Sequence, residues 1–167
     1  MAISTEMIRE LRERTGAGIM DVKKALEAVS GDMEKAEAAL RAKGLAKAAT
    51  KGSRSTSEGV INSYIHAGSR IGAMVELNCE TDFVARTPEF TALARNIAMQ
   101  VAAMGPVYLS TDQMPTTETR RPEEVCLMEQ AYIKEPSKSI EDLVMDVRAR
   151  VGENIKVSRF VRFGLGE

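Results

Sequence analysis

The hydrophobic pattern of this 167-residue chain specifies an α+β protein in two parts, and three observations carry that reading. Residues 1–44 repeat apolar side chains every three or four positions in short stretches punctuated by glycine, the spacing of helices with one buried face. Residues 60–79 and 154–163 switch to β-branched or alternating runs, the period of strands. Residues 45–58 lose both periods and turn to Lys, Ala, Ser, Thr and Gly, the composition of a linker. The expected architecture is a three-helix bundle over 1–44, a basic linker over 45–58, and an α+β core over 59–167. In that core a small antiparallel sheet is packed by helices in the order β-β-α-α-α-β.

Each element has a local cause. Ser4 or Thr5 caps the first helix, Glu6 sits in its first turn, Met7, Ile8 and Leu11 form its stripe, and it stops before Gly16. The second carries Ile19, Val22, Leu26 and Val29 and ends at Gly31; the third opens with Asp32 as cap, runs through Met33, Ala36, Ala39 and Leu40, and ends at Gly44. Isolated helices below roughly 12–15 residues are marginal in water, so three this short must pack on one another. From the end of the bundle into the linker Lys43, Lys47, Lys51 and Arg54 meet no acid until Glu58.

In the core, Val60 to Ala67 and Ile71 to Cys79 read as a hairpin closed by Gly68-Ser69-Arg70. Thr87-Pro88 is a cap followed by proline at the first helical position; Phe90, Leu93, Ala94, Ile97, Ala98 and Val101 make the buried stripe, and Gly105-Pro106 ends it. A loop with Pro115, Thr116 and Thr117 leads to a helical stretch from about Pro122 to Lys134. Ser139 and Asp142 form a capping-box variant for a third helix, with Ile140, Leu143, Val144, Val147 and Val151 inward. From Asn154 to Phe163 the last strand alternates, with Ile155, Val157, Arg159, Val161 and Phe163 on one face.

Composition removes several classes of function. With 44% hydrophobic and 28% charged residues the chain can bury a core and is not a disordered tail. Its 23 Lys+Arg against 24 Asp+Glu leave a net charge of −1, so it lacks the attraction by which a dedicated nucleic-acid binder neutralises phosphates. No apolar run approaches the roughly 20 residues that cross a bilayer, and the acidic start lacks the pattern of a signal peptide. Two separated cysteines, Cys79 and Cys126, fit neither a disulfide framework nor a zinc knuckle. The expectation is a cytoplasmic protein with no direct nucleic acid and no membrane.

Side chains suited to bond-making chemistry are scarce. His66 is the only histidine, which excludes a cluster of imidazole metal ligands, and no Gly-x-Ser-x-Gly elbow supports a nucleophilic triad. Gly16-Ala17-Gly18 follows a helix instead of a strand and lacks a Gly-Lys-Ser/Thr ending, so it is no phosphate loop. Glu123-Glu124 and Glu141-Asp142 lie at helix starts, where negative charge favours the macrodipole. What does stand out is Glu80-Thr81-Asp82-Phe83-Val84-Ala85-Arg86, a short connection between the hairpin and the Thr87-Pro88 helix start. An aromatic beside an acid in such a connection is either an exposed contact or a plug for the core under the hairpin.

Two stretches resolve this chain further. Leu11 to Leu26, reading LRERTGAGIMDVKKAL, and Asn78 to Arg86, reading NCETDFVAR, resemble the signature segments of the bacterial elongation factor Ts family, nucleotide-exchange factors of elongation factor Tu. Glu135-Pro136-Ser137-Lys138 and Val151-Gly152-Glu153-Asn154-Ile155 are similar to later segments of the family, so the resemblance covers nearly the whole chain.

The resemblance implies that residues 1–44 are a ubiquitin-associated-like bundle that docks on the GTPase, with Lys23 as the contact lysine and Arg12, Met20 and Val22 beside it. It implies that Thr81, Asp82, Phe83 and Val84 form the motif that disturbs the GTPase's magnesium site, Phe83 acting as a wedge. His66, Gly68 and Arg70 resemble a further contact segment. The implied partner is elongation factor Tu, GDP-bound and nucleotide-free, and no catalytic residue, cofactor or resident metal is implied. Long members carry two copies of the core subdomain and an inserted helical hairpin; here there is one copy, and short members pair as homodimers. The alternative readings are a ubiquitin-associated-like adaptor for another protein, without nucleotide exchange, and an RNA-associated protein using the linker Lys43 to Arg54.

Overall fold

The computed structural model describes residues 3–167; Met1 and Ala2, the head of the expected bundle, lie outside the described residues. Three N-terminal helices precede a three-stranded antiparallel sheet covered by helices, an α+β fold as the periodicities require. Ser4 accepts a hydrogen bond from the Met7 amide to open α1 (Thr5–Thr15), and Gly16, left-handed at φ 67°, closes it. Between α2 (Ile19–Ala28) and α3 (Met33–Ala49) Asp32 accepts from the Lys35 amide. Leu11, Val22, Leu26, Ala36 and Leu40 fill the bundle's interior. Ile19, expected in the stripe of α2, is instead exposed.

The sheet runs in the order β1 (Glu58–Ile65), β2 (Ile71–Cys79), β5 (Ile155–Gly164), all antiparallel. Gly59 is required where it stands: its φ is 155°, and a Cβ there would fall 2.2 Å from the Leu77 carbonyl oxygen. Phe90, Leu93, Ile97 and Val101 of α5 (Pro88–Met104) and Ile140, Val144 and Val147 of α7 (Ile140–Val151) share one core with Ala73, Val75, Leu77 and Cys79 of β2. The opposite face of the sheet carries Ile61, Ile65, Met74, Val161 and Phe163, all exposed.

Three sequence expectations are corrected. The third bundle helix does not end at Gly44 but continues to Ala49, because α3 packs along α7, with Gly44 facing Ala149, and this packing outweighs glycine's cost of about 1 kcal/mol inside a helix. The helix expected over 122–134 shrinks to α6 (Pro122–Val125) and a single 3₁₀ turn (Leu127–Glu129), followed by a small hairpin of β3 (Ala131–Tyr132) and β4 (Glu135–Ser139). Gln100, buried on α5, holds this segment: its amide nitrogen donates to Gln130 Oε1 at 3.2 Å and to the Ala131 carbonyl at 3.1 Å, and its oxygen accepts from the Ile133 amide at 3.0 Å. A partner thirty positions away leaves no local pattern to read.

The last strand does not keep one face. Glu76 pairs with Arg159 but Leu77 with Val157, so Ser158 is an extra, bulged residue. Ile155 and Val157 face the core, whereas beyond the bulge Phe160 and Arg162 turn inward and Val161 and Phe163 outward. Arg162 Nε donates to the Ala102 carbonyl of α5 at 3.1 Å.

Bundle and core are joined by an ion pair from Arg41 on α3 to Asp146 on α7 at 3.0 Å, with Lys138 3.2 Å from the same carboxylate. No helix among the described residues is long and apolar enough to cross a membrane. Gly59→Ala is expected to lower the unfolding midpoint by roughly 4–8 °C, the shift that about 2 kcal/mol produces in a chain of this size. Differential scanning calorimetry checks this, and an unchanged midpoint would mean that Leu77 can give way.

Candidate functional site

The connection between β2 and α5 is built so that neighbouring side chains have opposite fates. Thr81, extended at φ −128°, caps the single-turn helix α4 (Asp82–Ala85) by accepting from the Val84 amide, and Thr87 then caps α5 with Pro88 in its first turn. Two caps six residues apart leave this turn little freedom. Val84 and Ala85 are 9% and 6% exposed and belong to the core, whereas Phe83 is 81% exposed. Sequence left two fates for this pair, contact or plug, and the structure divides them: Val84 plugs and Phe83 projects. Asp82, half-buried, pairs with Arg86 at 2.9 Å.

The turn is held from behind by residues that sequence reading did not single out. Glu153, in the corner between α7 and β5, accepts from the Glu80 amide at 3.1 Å and the Thr81 amide at 3.0 Å through one oxygen, and from the Thr81 hydroxyl at 2.6 Å through the other. Glu80 returns the contact by accepting from the Asn154 amide at 2.6 Å. Cys79 donates its thiol to the Thr81 carbonyl at 3.1 Å, and burial pushes that thiol up, with Glu153 adding to the effect. It is therefore a neutral structural group and no nucleophile. Glu153 lies within a quoted family-like segment, but 72 residues separate it from Thr81, and no spacing rule spans that distance.

A second group sits on the bundle. Met20 at the head of α2 is 62% exposed and Ile19 54%, an unusual apolar pair in solvent, with Lys23 one turn further along and Arg12 exposed on α1. Lys23 lies 3.9 Å from Glu27, a loose pair with both side chains half in solvent. Val22 differs from its expected neighbours: it is 0% exposed in the bundle core, so it seats α2 and offers no surface to a partner. His66, Gly68 and Arg70 are exposed in the turn between β1 and β2, where the His66 amide donates to the Ile71 carbonyl at 2.8 Å and Tyr64 Oη lies 3.2 Å from His66 Nδ1. Among the described residues no hydrogen bond or ion pair links these three groups to one another. No group of three or more His, Cys, Asp or Glu among the described residues is placed to hold a metal ion.

A helical bundle exposing Ile19 and Met20 at the head of α2, and an α+β core exposing Phe83 on a capped turn, have the build of a protein that acts by contact with other proteins. The sequence model of the family described as Elongation factor TS matches residues 19–121 and 119–167. Relatives named Elongation factor Ts from Syntrophomonas wolfei subsp. wolfei and Carboxydothermus hydrogenoformans are each 48% identical over 195 aligned positions, covering 99% of this chain and 91% and 90% of their own lengths. One from Anaeromyxobacter dehalogenans strain 2CP-1 is 46% identical, with 99% and 89% covered. The chain belongs to the elongation factor Ts family. Alignments of 195 positions against 167 residues mean that these relatives carry extra residues, and the family match divides at residues 119–121, in the loop ahead of α6.

The split between Phe83 and Val84 is directly measurable. Phe83→Ala is expected to change stability by no more than about 0.5 kcal/mol, as for other surface truncations. Val84→Ala is expected to cost about 1–3 kcal/mol. Urea titration of both variants checks the pair, and a large loss for Phe83→Ala would mean that the ring packs inward in solution.

Proposed function

We propose that the chain is a guanine-nucleotide exchange factor for elongation factor Tu in translation elongation, working in the cytoplasm. It binds the GDP form, disturbs the Mg²⁺ site and promotes GDP release, so that GTP can bind. The observation that carries this reading is the aromatic ring of Phe83, 81% exposed on a turn whose backbone is tied down on both sides.

A GTPase holds GDP through phosphate-loop amides, a lysine and Mg²⁺, which together neutralise the phosphate charge. Displacing the cation leaves like charges uncompensated, and the nucleotide leaves faster. An exchange factor needs no general base or nucleophile for this. It needs to bind the empty GTPase more tightly than the loaded one, and by linkage GDP then weakens the factor as much as the factor weakens GDP. Phe83 supplies apolar contact energy at the wedge. Asp82 brings a carboxylate whose exposed pairing with Arg86 is easily exchanged for another cation, because such pairs are worth only about 0–1 kcal/mol. Thr81 caps the turn and Val84 roots it.

Arg12, Met20 and Lys23 are the proposed anchor on the bundle, with Val22 acting from within by seating α2. Such an anchor does not depend on the state of the nucleotide. His66, Gly68 and Arg70 are a further proposed contact, suited to that role by their exposure in a hairpin turn.

The open sheet face is the proposed contact with a second copy of this chain. In cross-strand register Ile65, Gly72 and Phe163 form one row and Ser63, Met74 and Val161 the next, and beside them lies a groove of about 500 Å³ that also includes Leu165. Exposed apolar side chains in adjacent cross-strand rows, with no helix of the described residues over them, suit an isologous contact between two copies of the same face. Phe163→Asp is expected to convert the assembly to monomer in sedimentation equilibrium, whereas a wild-type monomer at all concentrations would remove the pairing.

The exchange reading is tested by stopped-flow release of fluorescent GDP from elongation factor Tu. At saturating factor Phe83→Ala should slow release by roughly thirtyfold, which is what about 2 kcal/mol, the middle of the range expected for an aromatic anchor, amounts to. Lys23→Ala should leave the maximal rate near its original value and raise the concentration needed to reach it. If Phe83→Ala released GDP at the wild-type rate, the wedge would be wrong.

A further inference from the structure

We infer that Glu153 is a positioning residue for the Phe83 turn: through Thr81 it fixes where the ring stands without itself touching the GTPase. This rests on the exchange reading above and names the device that makes the projecting turn rigid.

The turn cannot be rigid by packing alone. The helix α4 has four residues, fewer than needed to hold itself together, and only Val84 and Ala85 of the segment reach the core. Beyond Cys79, where the pairing of β2 ends, the amides of Glu80 and Thr81 have no strand partner and donate instead to one oxygen of Glu153, at 3.1 and 3.0 Å. The other oxygen takes the Thr81 hydroxyl at 2.6 Å, which sets the rotamer of the same side chain that caps α4. Hydrogen bonds to an ionised acceptor are the stronger kind, and three of them converge on one carboxylate.

Glu153 is itself held. It follows Gly152, left-handed at φ 77°, which ends α7 and directs the chain into β5. The next residue, Asn154, is 2% exposed; its amide donates to Glu80 Oε1 at 2.6 Å, and its side-chain nitrogen donates to the carbonyls of Gly52 and Arg54 at 3.1 and 2.8 Å. One corner of the core therefore ties together the wedge turn and the chain arriving from the bundle. A wedge transmits force only from a backing that does not yield. If the turn were mobile, binding would first have to order it, and the ring would follow the GTPase's side chains instead of displacing them.

The test uses the full chain and four variants, Phe83→Ala, Glu153→Ala, Glu153→Gln and the double variant Phe83→Ala/Glu153→Ala, in stopped-flow GDP release from elongation factor Tu. Glu153→Ala is expected to lower the maximal release rate by roughly tenfold, less than loss of the ring itself because the ring is kept but loosened, with the half-saturating concentration changed by less than about twofold because docking through the bundle is untouched. The Glu80 and Thr81 amides should lose protection from hydrogen exchange. Glu153→Gln should recover most of the rate, because its carbonyl still accepts the two amides and its nitrogen can donate to the Thr81 oxygen. In the Phe83→Ala background Glu153→Ala should cost nothing further, because a residue that acts through the ring has nothing left to position.

No acceleration of release by the wild-type chain would defeat the exchange reading itself, and a normal rate for Phe83→Ala would defeat the wedge and the positioning inference with it. A slowed Phe83→Ala together with a normal Glu153→Ala, or a double variant whose losses multiply in full, would overturn the positioning inference and leave the wedge standing. Should Glu153→Ala fail to fold, Glu153→Asp, whose shorter side chain draws the carboxylate back from the Glu80 and Thr81 amides, carries the same test, with an expected loss of about twofold or more and a wild-type rate as the contrary result.

Discussion

Phe83 can stand out of the surface because its neighbours are prevented from doing so. Val84 and Ala85 are drawn into the core, Thr81 is held by the Glu153 carboxylate, and Thr87 begins a long helix, leaving the ring only the outward direction. Exposing a phenylalanine forgoes burial worth about 1.5–3 kcal/mol. The surrounding hydrogen bonds and the packing of Val84 sustain that cost. The proposed action on the nucleotide depends on this asymmetry within a few consecutive residues.

The same corner sets how the two halves of the chain meet. Residues 45–58 have the composition of a solvated linker, yet their cations Lys47, Lys51 and Arg54, and Lys43 just ahead of them, have partners within the chain. Lys43 and Lys47 reach Asp21 at 2.8 and 3.5 Å and hold its carboxyl below the usual carboxylate range, Lys51 donates to the Gly152 carbonyl, and Arg54 lies 3.5 Å from Glu80. With α3 continuing to Ala49 and Arg41 paired to Asp146, the bundle is carried on the core by side chains on several elements. On the proposed reading, the anchor around Met20 and Lys23 and the wedge at Phe83 are thus parts of one frame, and docking through the first brings the second to a defined place.

Local chemistry made most of the fold readable. The caps at Ser4, Asp32, Thr87 and Ser139 and the stops at Gly16 and Gly105 act within one helical turn, so sequence spacing contains them. The hairpin from Glu58 to Cys79 was legible for the same reason. What escaped depends on contacts between distant residues: Gln100 fixes Gln130 to Ile133, Ser158 bulges opposite the Glu76–Leu77 step, and Glu153 reaches back to Thr81. The candidate site divides along the same line. Resemblance singled out Thr81 to Val84 together, but only burial separates the ring that projects from the valine that roots it, and only burial removes Val22 from the surface of α2.

The most direct measurement is GDP release from elongation factor Tu, with and without this chain, in excess Mg²⁺ and again in excess chelator. If the chain works by disturbing the cation's site, chelation should speed release on its own, and the chain's additional acceleration should shrink markedly once the cation is gone. An acceleration of the same size in both conditions would contradict the account, since a factor that acts through the metal cannot keep its full effect where no metal remains to be displaced.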